Sequence, residues 1–557
     1  VARLLRVFQA TMLRLEGGYV ALLRWGLRRR AVALAAAGAV FAASFPLMKL
    51  VGTEFVPEAD NNELYVQFYT PVGSSLQFTE GKLRQVESAL REFEGVTMTY
   101  GTINTGIAQG RNYATVFGVL VDRSRRPLSV QKMRTPVRER LSRIAGVTVT
   151  DLGNLNAVSS GKPIQISIQG QDTAVLDRLA TQVSRAIAAV NAELGRSGIV
   201  EVDTSSKPAK PTVSADIDRA LASDLGVGVA QVSAVLRPLL AGDAATTWRA
   251  PDDENYDVRV RLPRSQRSSV ADLERLTLAS ARSDADGGPR MVALRQVADF
   301  REGLGPTQIN RKALAREILI SANVEGVAAG TAGSLLQKQL AGIDLPPGYR
   351  LETGGSNRDM AESFGYALQA LVLAVVFIYM ILASQFGSFV QPIAIMASLP
   401  LSLIGVVLAL LAWRSTLNMF SMIGFIMLMG LVTKNAILLV DFANQARAGG
   451  LARTQALLQA AEIRLRPILM TTLAMVFGML PLAIGAGEGA EQRAPLAHAV
   501  IGGVLASTLL TLLVVPVLYT FLDDLAARVT GRAREPAGAA ASRPAGQPAG
   551  PAPQPRS

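Results

Sequence analysis

The chain predicts an α-helical membrane protein with six transmembrane helices and a large α+β region built of ferredoxin-like, split βαβ modules. Three observations lead there. Of the 557 residues, 49% are hydrophobic and the mean hydropathy is positive, so some segments are solvated by lipid. Apolar stretches at residues 31–51, 364–383, 390–412, 417–442, 467–486 and 497–522 are each long enough to cross a ~30 Å hydrocarbon core at about 1.5 Å per residue. Residues 52–363 contain no such stretch and instead alternate short strand-like and amphipathic helical segments.

Charge placement orients the spans. Arg24, Arg28, Arg29 and Arg30 hold the start of the first span in the cytoplasm. Arg447, Arg453, Arg464 and Arg466 fall in one inside loop, while the short outside loops carry only Arg414 and Arg493. The net charge of +12 is therefore the charge of span ends. No basic, aromatic-interleaved face points to nucleic acid. Cysteine is absent, which excludes a disulfide framework, a thiolate metal site and a cysteine nucleophile. Residues 1–30 mix Arg, Leu and aromatics without a cleavage-site pattern and read as a cytosolic lead-in helix or the scar of a truncation. Residues 534–557, rich in Pro, Ala and Gly, read as a disordered cytoplasmic tail.

Between the first two spans, Leu64–Tyr69 alternates as a strand, Ser75–Phe93 is an amphipathic helix and Val96–Tyr100 a second strand. Thr115–Val121, Val130–Ile144 and Val147–Thr150 repeat the pattern, so residues 54–155 read as one split βαβ module. A third unit covers Ile164–Val202. Its complement, Glu317–Ala322, Ala328–Leu340 and Tyr349–Thr353, comes only after residues 208–310. A second module (156–207 with 311–357) is thus interrupted by an insert. That insert holds a helix near Val229–Leu240 and a polar arm, Gly242–Asp257, whose Trp248 suits either a protein contact or a solvated hairpin.

The residue that calls for chemistry is Lys434, followed by Asn435 in an otherwise apolar run from Gly430 to Asp441 within the five-span segment 362–523. An ammonium near the middle of a span costs roughly 2.5–3.5 kcal/mol on insertion scales, so it needs a carboxylate, a wet cavity or a route to the interface. Asp441 shares its face but lies about 10.5 Å along the axis, too far for an ion pair. Glu362, Asp523 and Asp524 sit at span ends, and no other span interior holds an acid. In the next span Arg464, Arg466, Thr471 and Thr472 read either as anchors and self-bonded threonines or, with Lys434 and Asn435, as a hydrated proton path. His498, the only histidine, reads as an interfacial residue rather than a proton carrier. No phosphate-cradling loop or metal-ligand cluster appears, so neither a cofactor nor a metal is expected.

Gly430–Asp441, followed by Arg464-Leu465-Arg466-Pro467-Ile468-Leu469-Met470-Thr471, resembles the tenth and eleventh membrane helices of resistance-nodulation-division (RND) efflux pumps. The resemblance extends over almost the whole chain and is to the carboxy-terminal half. It implies two porter subdomains (54–155, and 156–207 with 311–357), half of a docking domain at 208–310 whose arm reaches a neighbouring protomer, and a bacterial inner-membrane protein with a large periplasmic region. Proton-driven export would use Lys434, Asn435, Arg464 and Thr471 as the relay, with its paired aspartates on an amino-terminal half. The implied partners are that half, a homotrimer, a periplasmic adaptor, an outer-membrane channel and small amphiphilic substrates. Asn104–Gly110 looks like the loop separating two drug pockets, with Thr105 and Ile107 where multidrug members carry phenylalanines, and Phe117 matches an aromatic of the deeper pocket. The metal-exporting branch uses porter methionines; here Met98, Met133 and Met291 are scattered. Lipid export, and a non-transporting scaffold or assembly subunit, are the alternatives.

Overall fold

A computed structural model describes residues 2–104, 110–153, 161–195, 198–284, 287–485 and 487–530; the tail 534–557 lies outside them. Helix α1 (Ala2–Arg28) runs to a break at Arg29, whose ψ of 56° is not helical, and continues as the first span, α2 (Arg30–Met48).

Next come β1 (Glu63–Tyr69), α3 (Leu76–Arg91), β2 (Val96–Ile103), β3 (Tyr113–Leu120), α4 (Val130–Ser142) and β4 (Thr148–Gly153). The strands form an antiparallel sheet in the order β2-β3-β1-β4, which is the ferredoxin-like arrangement. Period-two patterning explains its two faces. Leu64, Val66 and Phe68 are fully buried beneath α3 and α4, while Tyr65, Gln67 and Tyr69 point to the other side. Helix α3 starts where Ser75 Oγ accepts the Phe78 N–H, and Thr79, Leu83, Val86 and Leu90 recur at helical spacing on its buried face.

The second sheet is built from both sides of a long insertion. β5 (Ile164–Gly170), α5 (Thr173–Leu194) and β6 (Gly198–Thr204) precede it. The insertion contains β7 (Lys210–Ile217), α6 (Arg219–Asp224), α7 (Val229–Ala241), β8 (Asp243–Arg249), β9 (Asn255–Val260), α8 (Val270–Glu274), β10 (Thr277–Ser283), β11 (Pro289–Ala293), β12 (Ala298–Gly305) and β13 (Asn310–Lys312). β14 (Ala315–Glu325), α9 (Ala329–Leu340) and β15 (Arg350–Gly354) then complete the sheet, in the order β6-β14-β5-β15. The insertion has its own small core around Val227, Leu278, Leu294 and Val297. Its β8–β9 hairpin is exposed along its whole length, with Trp248 packed against Tyr256 at 6.1 Å between ring centroids.

Five more spans follow: α10 (Ser356–Phe386), the pair α11 (Gln391–Met396) and α12 (Ser398–Ala412), α13 (Met419–Ala448), α14 (Arg453–Ala483) and α15 (Ala490–Thr530). With α2 they make six helices, among the described residues, long and apolar enough to cross a membrane. Helix α15 is the one the others close upon, and glycine permits it. A Cβ on Gly502 would stand 2.3 Å from Ala409 Cβ, and one on Gly405 would stand 2.3 Å from Gly502 O. Hydrocarbon solvates an apolar side chain as well as a neighbouring helix does, so close backbone packing of small residues carries the association. Segment Gly52–Phe55 ties the spans to the second module. On one side Leu417 N–H donates to Gly52 O (2.8 Å) and Met419 N–H to Phe55 O (3.1 Å); on the other Gly330 N–H donates to Thr53 O (2.8 Å).

Gly502→Val is expected to destabilise the bundle by about 1–3 kcal/mol or more through overpacking. A lowered thermal midpoint of the detergent-solubilised protein would show it; an unchanged midpoint would refute the close α12–α15 approach.

Candidate functional site

Lys434 lies on a stripe of α13 that this chain leaves uncovered. Ile423, Met427, Gly430 and Lys434 are exposed at helical spacing, and a Cβ on Gly430 would meet nothing within 4 Å. Among the described residues Lys434 forms no ion pair. Asp441 is engaged instead by Gln445, whose Nε2 donates to Oδ2 at 2.8 Å.

One residue on, about 100° round the helix, Asn435 points inward and is 3% exposed. Its Nδ2 donates to Thr508 Oγ1 on α15 at 3.2 Å, and Thr508 Oγ1 is 3.2 Å from Thr472 Oγ1 on α14. A polar seam therefore joins three spans. Asn435 Oδ1 and Thr511 Oγ1 are buried without a partner among the described residues.

The expected relay set does not converge. Thr471 donates to Ile468 O in its own helix (3.1 Å), and Thr472 takes the interhelical place. Arg464 sits with its guanidinium 5.2 Å from the Phe442 ring, about 12 Å along α13 from Lys434. Arg466 pairs with Glu16 of α1. His498 is buried at the opposite end: it stacks on Trp413 at 4.8 Å, its Nε2 meets Ala483 O at 2.8 Å and its Nδ1 meets Ser415 Oγ at 2.8 Å. A carbonyl can only accept, so Nε2 carries the proton and Nδ1 accepts from the Ser415 hydroxyl. This histidine clamps the α12–α13 loop to the end of α14.

A second candidate is a cleft of about 1090 Å³ between the two modules. Its lining mixes aromatic and cationic groups, among them Tyr65, Tyr113, Arg111, Lys162, Lys207 and Lys210. Phe117 lies beside it in a ladder across the sheet, 5.2 Å from Tyr65 and 6.2 Å from Tyr100. Thr105 and Ile107 lie outside the described residues. Met98 is exposed on β2, Met133 is buried in the core under the first sheet and Met291 is exposed on β11 of the insertion. Burial pushes the Lys162 ammonium below the usual lysine range, against the pull of Asp151, Asp203 and Glu201, and its Nζ donates to Thr150 O and to Glu201 O. Burial, Asp203 and Tyr69 push the Tyr113 phenol up to about 12.

An ionic bridge joins the modules beside the cleft. Arg138 binds Glu201 and Glu325, each at 2.6 Å, and Asn323 Nδ2 donates to Asp151 and Glu201, each at 2.6 Å. Burial acts to raise the Glu325 carboxyl, but bonds from Thr135 and Arg138 outweigh it and hold the group below the ordinary carboxylate range. A depressed carboxyl contributes stability that is present above the ordinary range and lost as pH falls through the folded-state value. The bridge is therefore expected to hold at neutral pH and loosen in acid below the ordinary carboxylate range. The check is the distance between spin labels on α4 and α9 measured during acidification. A distance that stays fixed while Arg138→Gln increases it at neutral pH would refute the role of Glu325 titration.

The sequence carried no signal for Thr508, and the alternation at Leu64–Tyr69 marked a strand without singling out Tyr65 and Tyr69 as its outer face. The AcrB/AcrD/AcrF family matches residues 2–523. The multidrug resistance protein MdtC of Cronobacter sakazakii is 28% identical over 532 residues, covering 94% of this chain and 50% of its own length. MdtC of Klebsiella pneumoniae strain 342 is 27% identical over 541 residues, covering 95% and 51%. A crystal structure of a heavy metal efflux pump superposes with a TM-score of 0.79 at 25% identity, covering 92% of this chain and 52% of that one. The chain thus spans about half the length of the curated relatives it matches.

Proposed function

This chain belongs to the AcrB/AcrD/AcrF family, and from that premise we propose that it is one half of a proton-driven efflux transporter of the bacterial inner membrane. The observation that carries the reading is Lys434, exposed on an uncovered stripe of α13 and without an ion pair among the described residues. A second six-span unit, on the same polypeptide or another, would cover that stripe and bring a carboxylate to the ammonium. Proton exchange on that carboxylate makes and breaks the pair, and differential stability of the two states biases the conformational cycle. Asn435, Thr508 and Thr472 form the polar seam beside it. Arg464 and Thr471 are assigned positioning roles, on Phe442 and on the α14 backbone.

The α+β modules would lie in the periplasm as porter subdomains. The cleft between them suits amphiphiles: Phe55, Tyr65 and Tyr113 in its lining offer apolar contact, with Phe117 packed against Tyr65, and Arg111, Lys162 and Lys210 offer hydrogen bonds and charge. The exposed Trp248–Tyr256 hairpin would reach a neighbouring protomer of a trimer that works with an adaptor and an outer-membrane channel. A heavy-metal substrate is favoured only by the likeness to the metal pump, and the separation of Met98, Met133 and Met291 speaks against a shared thioether site.

The test is export from cells or vesicles containing this chain together with the other half. Lys434→Ala is expected to lower proton-coupled export at least about 100-fold, the lower end of what a positioned proton-transfer group contributes, with assembly and membrane insertion unchanged. Undiminished export would refute the relay, and absence of export even with Lys434 intact would favour a scaffold.

A further inference from the structure

The cleft between the two modules has a charge imbalance that its own ion pairs do not remove. Its lining holds five cationic and three acidic side chains. Each acid is already engaged. Glu58 takes Arg134 at 2.8 Å, Asp203 takes Lys207, and Asp151 accepts from Asn323 Nδ2 at 2.6 Å. Lys162 is occupied by the backbone, donating to Thr150 O and to Glu201 O. Arg111 and Lys210 are left, both exposed and without an acidic partner among the described residues. The adjoining segments 105–109 and 154–160 contain no acidic residue in their sequence.

The fold brings these two cations to opposite ends of one turn. Thr70 N–H donates to Asn112 O at 2.8 Å and Asn112 Nδ2 to Thr70 O at 3.2 Å, which fixes Arg111 beside the start of the turn Pro71–Ser74. Ser74 N–H closes that turn on Pro71 O at 3.0 Å. Gly73 has a φ of 92°, which suits glycine, and a Cβ there would lie 3.9 Å from Pro211 Cδ, next to Lys210. Arg111 belongs to the first module, and Lys210 begins β7 of the insertion. Apolar surface lies alongside. Tyr113, two residues past Arg111, packs on Tyr69 at 5.7 Å between ring centroids, and Phe55, Tyr65 and Val72 line the same cleft.

We propose that the cleft selects amphiphiles bearing an anionic oxygen group (carboxylate, sulfonate or phosphate), which Arg111 and Lys210 bind while the apolar body lies against Tyr65 and Tyr113. The inference rests on the proposed use of the cleft as a substrate site and names its substrate class. A guanidinium and an ammonium free of carboxylates give an anion two charge-assisted partners. A cationic amphiphile meets two like charges instead, and must break an existing pair to reach a carboxylate. Selection thus comes from repulsion as well as attraction.

Two probes that differ only by a sulfonate, 8-anilinonaphthalene-1-sulfonate and N-phenyl-1-naphthylamine, separate charge from apolar contact. The chain has no cysteine, so Gln308→Cys in the cleft lining carries a single nitroxide. The fluorescence recovered when ascorbate reduces that nitroxide reports only probe bound in the cleft. In phosphatidylcholine nanodiscs holding the full chain, Arg111→Gln with Lys210→Gln is expected to weaken the sulfonate probe at least about tenfold, the equivalent of one hydrogen bond to a charged group, and to leave the uncharged probe unchanged. Arg111→Lys with Lys210→Arg is expected to retain sulfonate binding, which separates lost charge from a lost fold. With both cations in place, high salt is expected to weaken only the sulfonate probe. Sulfonate binding that is indifferent to salt and to the glutamine pair would overturn the selection. Displacement by inorganic sulfate alone, or by phosphatidylglycerol added to the disc, would assign the two cations to a free anion or to lipid and overturn the amphiphile. Absence of both probes from the cleft would instead overturn the cleft as a substrate site, and with it the reading on which the selection rests.

Discussion

The membrane half depends on how closely α15 approaches its neighbours. Gly405 and Gly502 let the backbones of α12 and α15 meet, and Gly503 admits Leu428 of α13, whose side chain a Cβ would strike at 2.1 Å. Placing α15 there decides which face of α13 is occupied. Asn435, Ala436, Leu439 and Val440 turn inward and are buried, and the opposite stripe with Lys434 is left open. The exposure of the charged residue is therefore a consequence of glycines on other helices. In hydrocarbon the driving force is contact and hydrogen bonding rather than exclusion of water, so a small steric change at Gly502 would also alter how Lys434 is presented.

The link between the spans and the α+β modules is short and stiff. Gly52–Phe55 hydrogen-bonds to the α12–α13 loop on one side and to Gly330 on the other, where Thr53 leaves no room for a Cβ. Glu54 is half-buried beside Thr416, whose hydroxyl donates to it, and desolvation pushes its carboxyl above the usual range. A tilt of α13 would thus be transmitted to α9 through backbone bonds rather than through a flexible linker. Across the modules the Arg138–Glu201–Glu325 bridge sits beside the cleft. Spans, strap, second module, bridge and first module form one continuous chain of contacts.

Much of this was legible in the sequence because the medium demands it. Lipid requires uninterrupted apolar runs, which mark the spans, and sheets buried on one face require alternation, as in Leu64–Tyr69. The absence of an intramembrane acid isolated Lys434. What stayed hidden are pairings between distant segments. Ser507, Thr471 and Thr520 each bond their own helix backbone, the usual fate of a hydroxyl in an apolar run. Nothing local distinguishes them from Thr508 and Thr472, which bond across helices; only the rotational setting of α13, α14 and α15 does. The burial of His498 was hidden in the same way, since its partners Ser415 and Ala483 come from the α12–α13 loop and the end of α14.

The adjacency of Lys434 and Asn435 then has a physical explanation. A rotation of α13 that tucked the lysine inward would bury an ammonium among apolar neighbours, and a rotation the other way would withdraw the asparagine from Thr508. An interhelical hydrogen bond in a membrane contributes about 0.6 kcal/mol on average and up to 1–2, which is modest. Yet a rotation also separates Leu428 from Gly503 and Gly424 from Leu496, so packing and the polar seam resist it together. Asn435 fixes the register of the helix and Lys434 faces what lies beyond it. One residue holds the helix in the bundle, and its neighbour is left exposed on the uncovered stripe without an ion pair among the described residues.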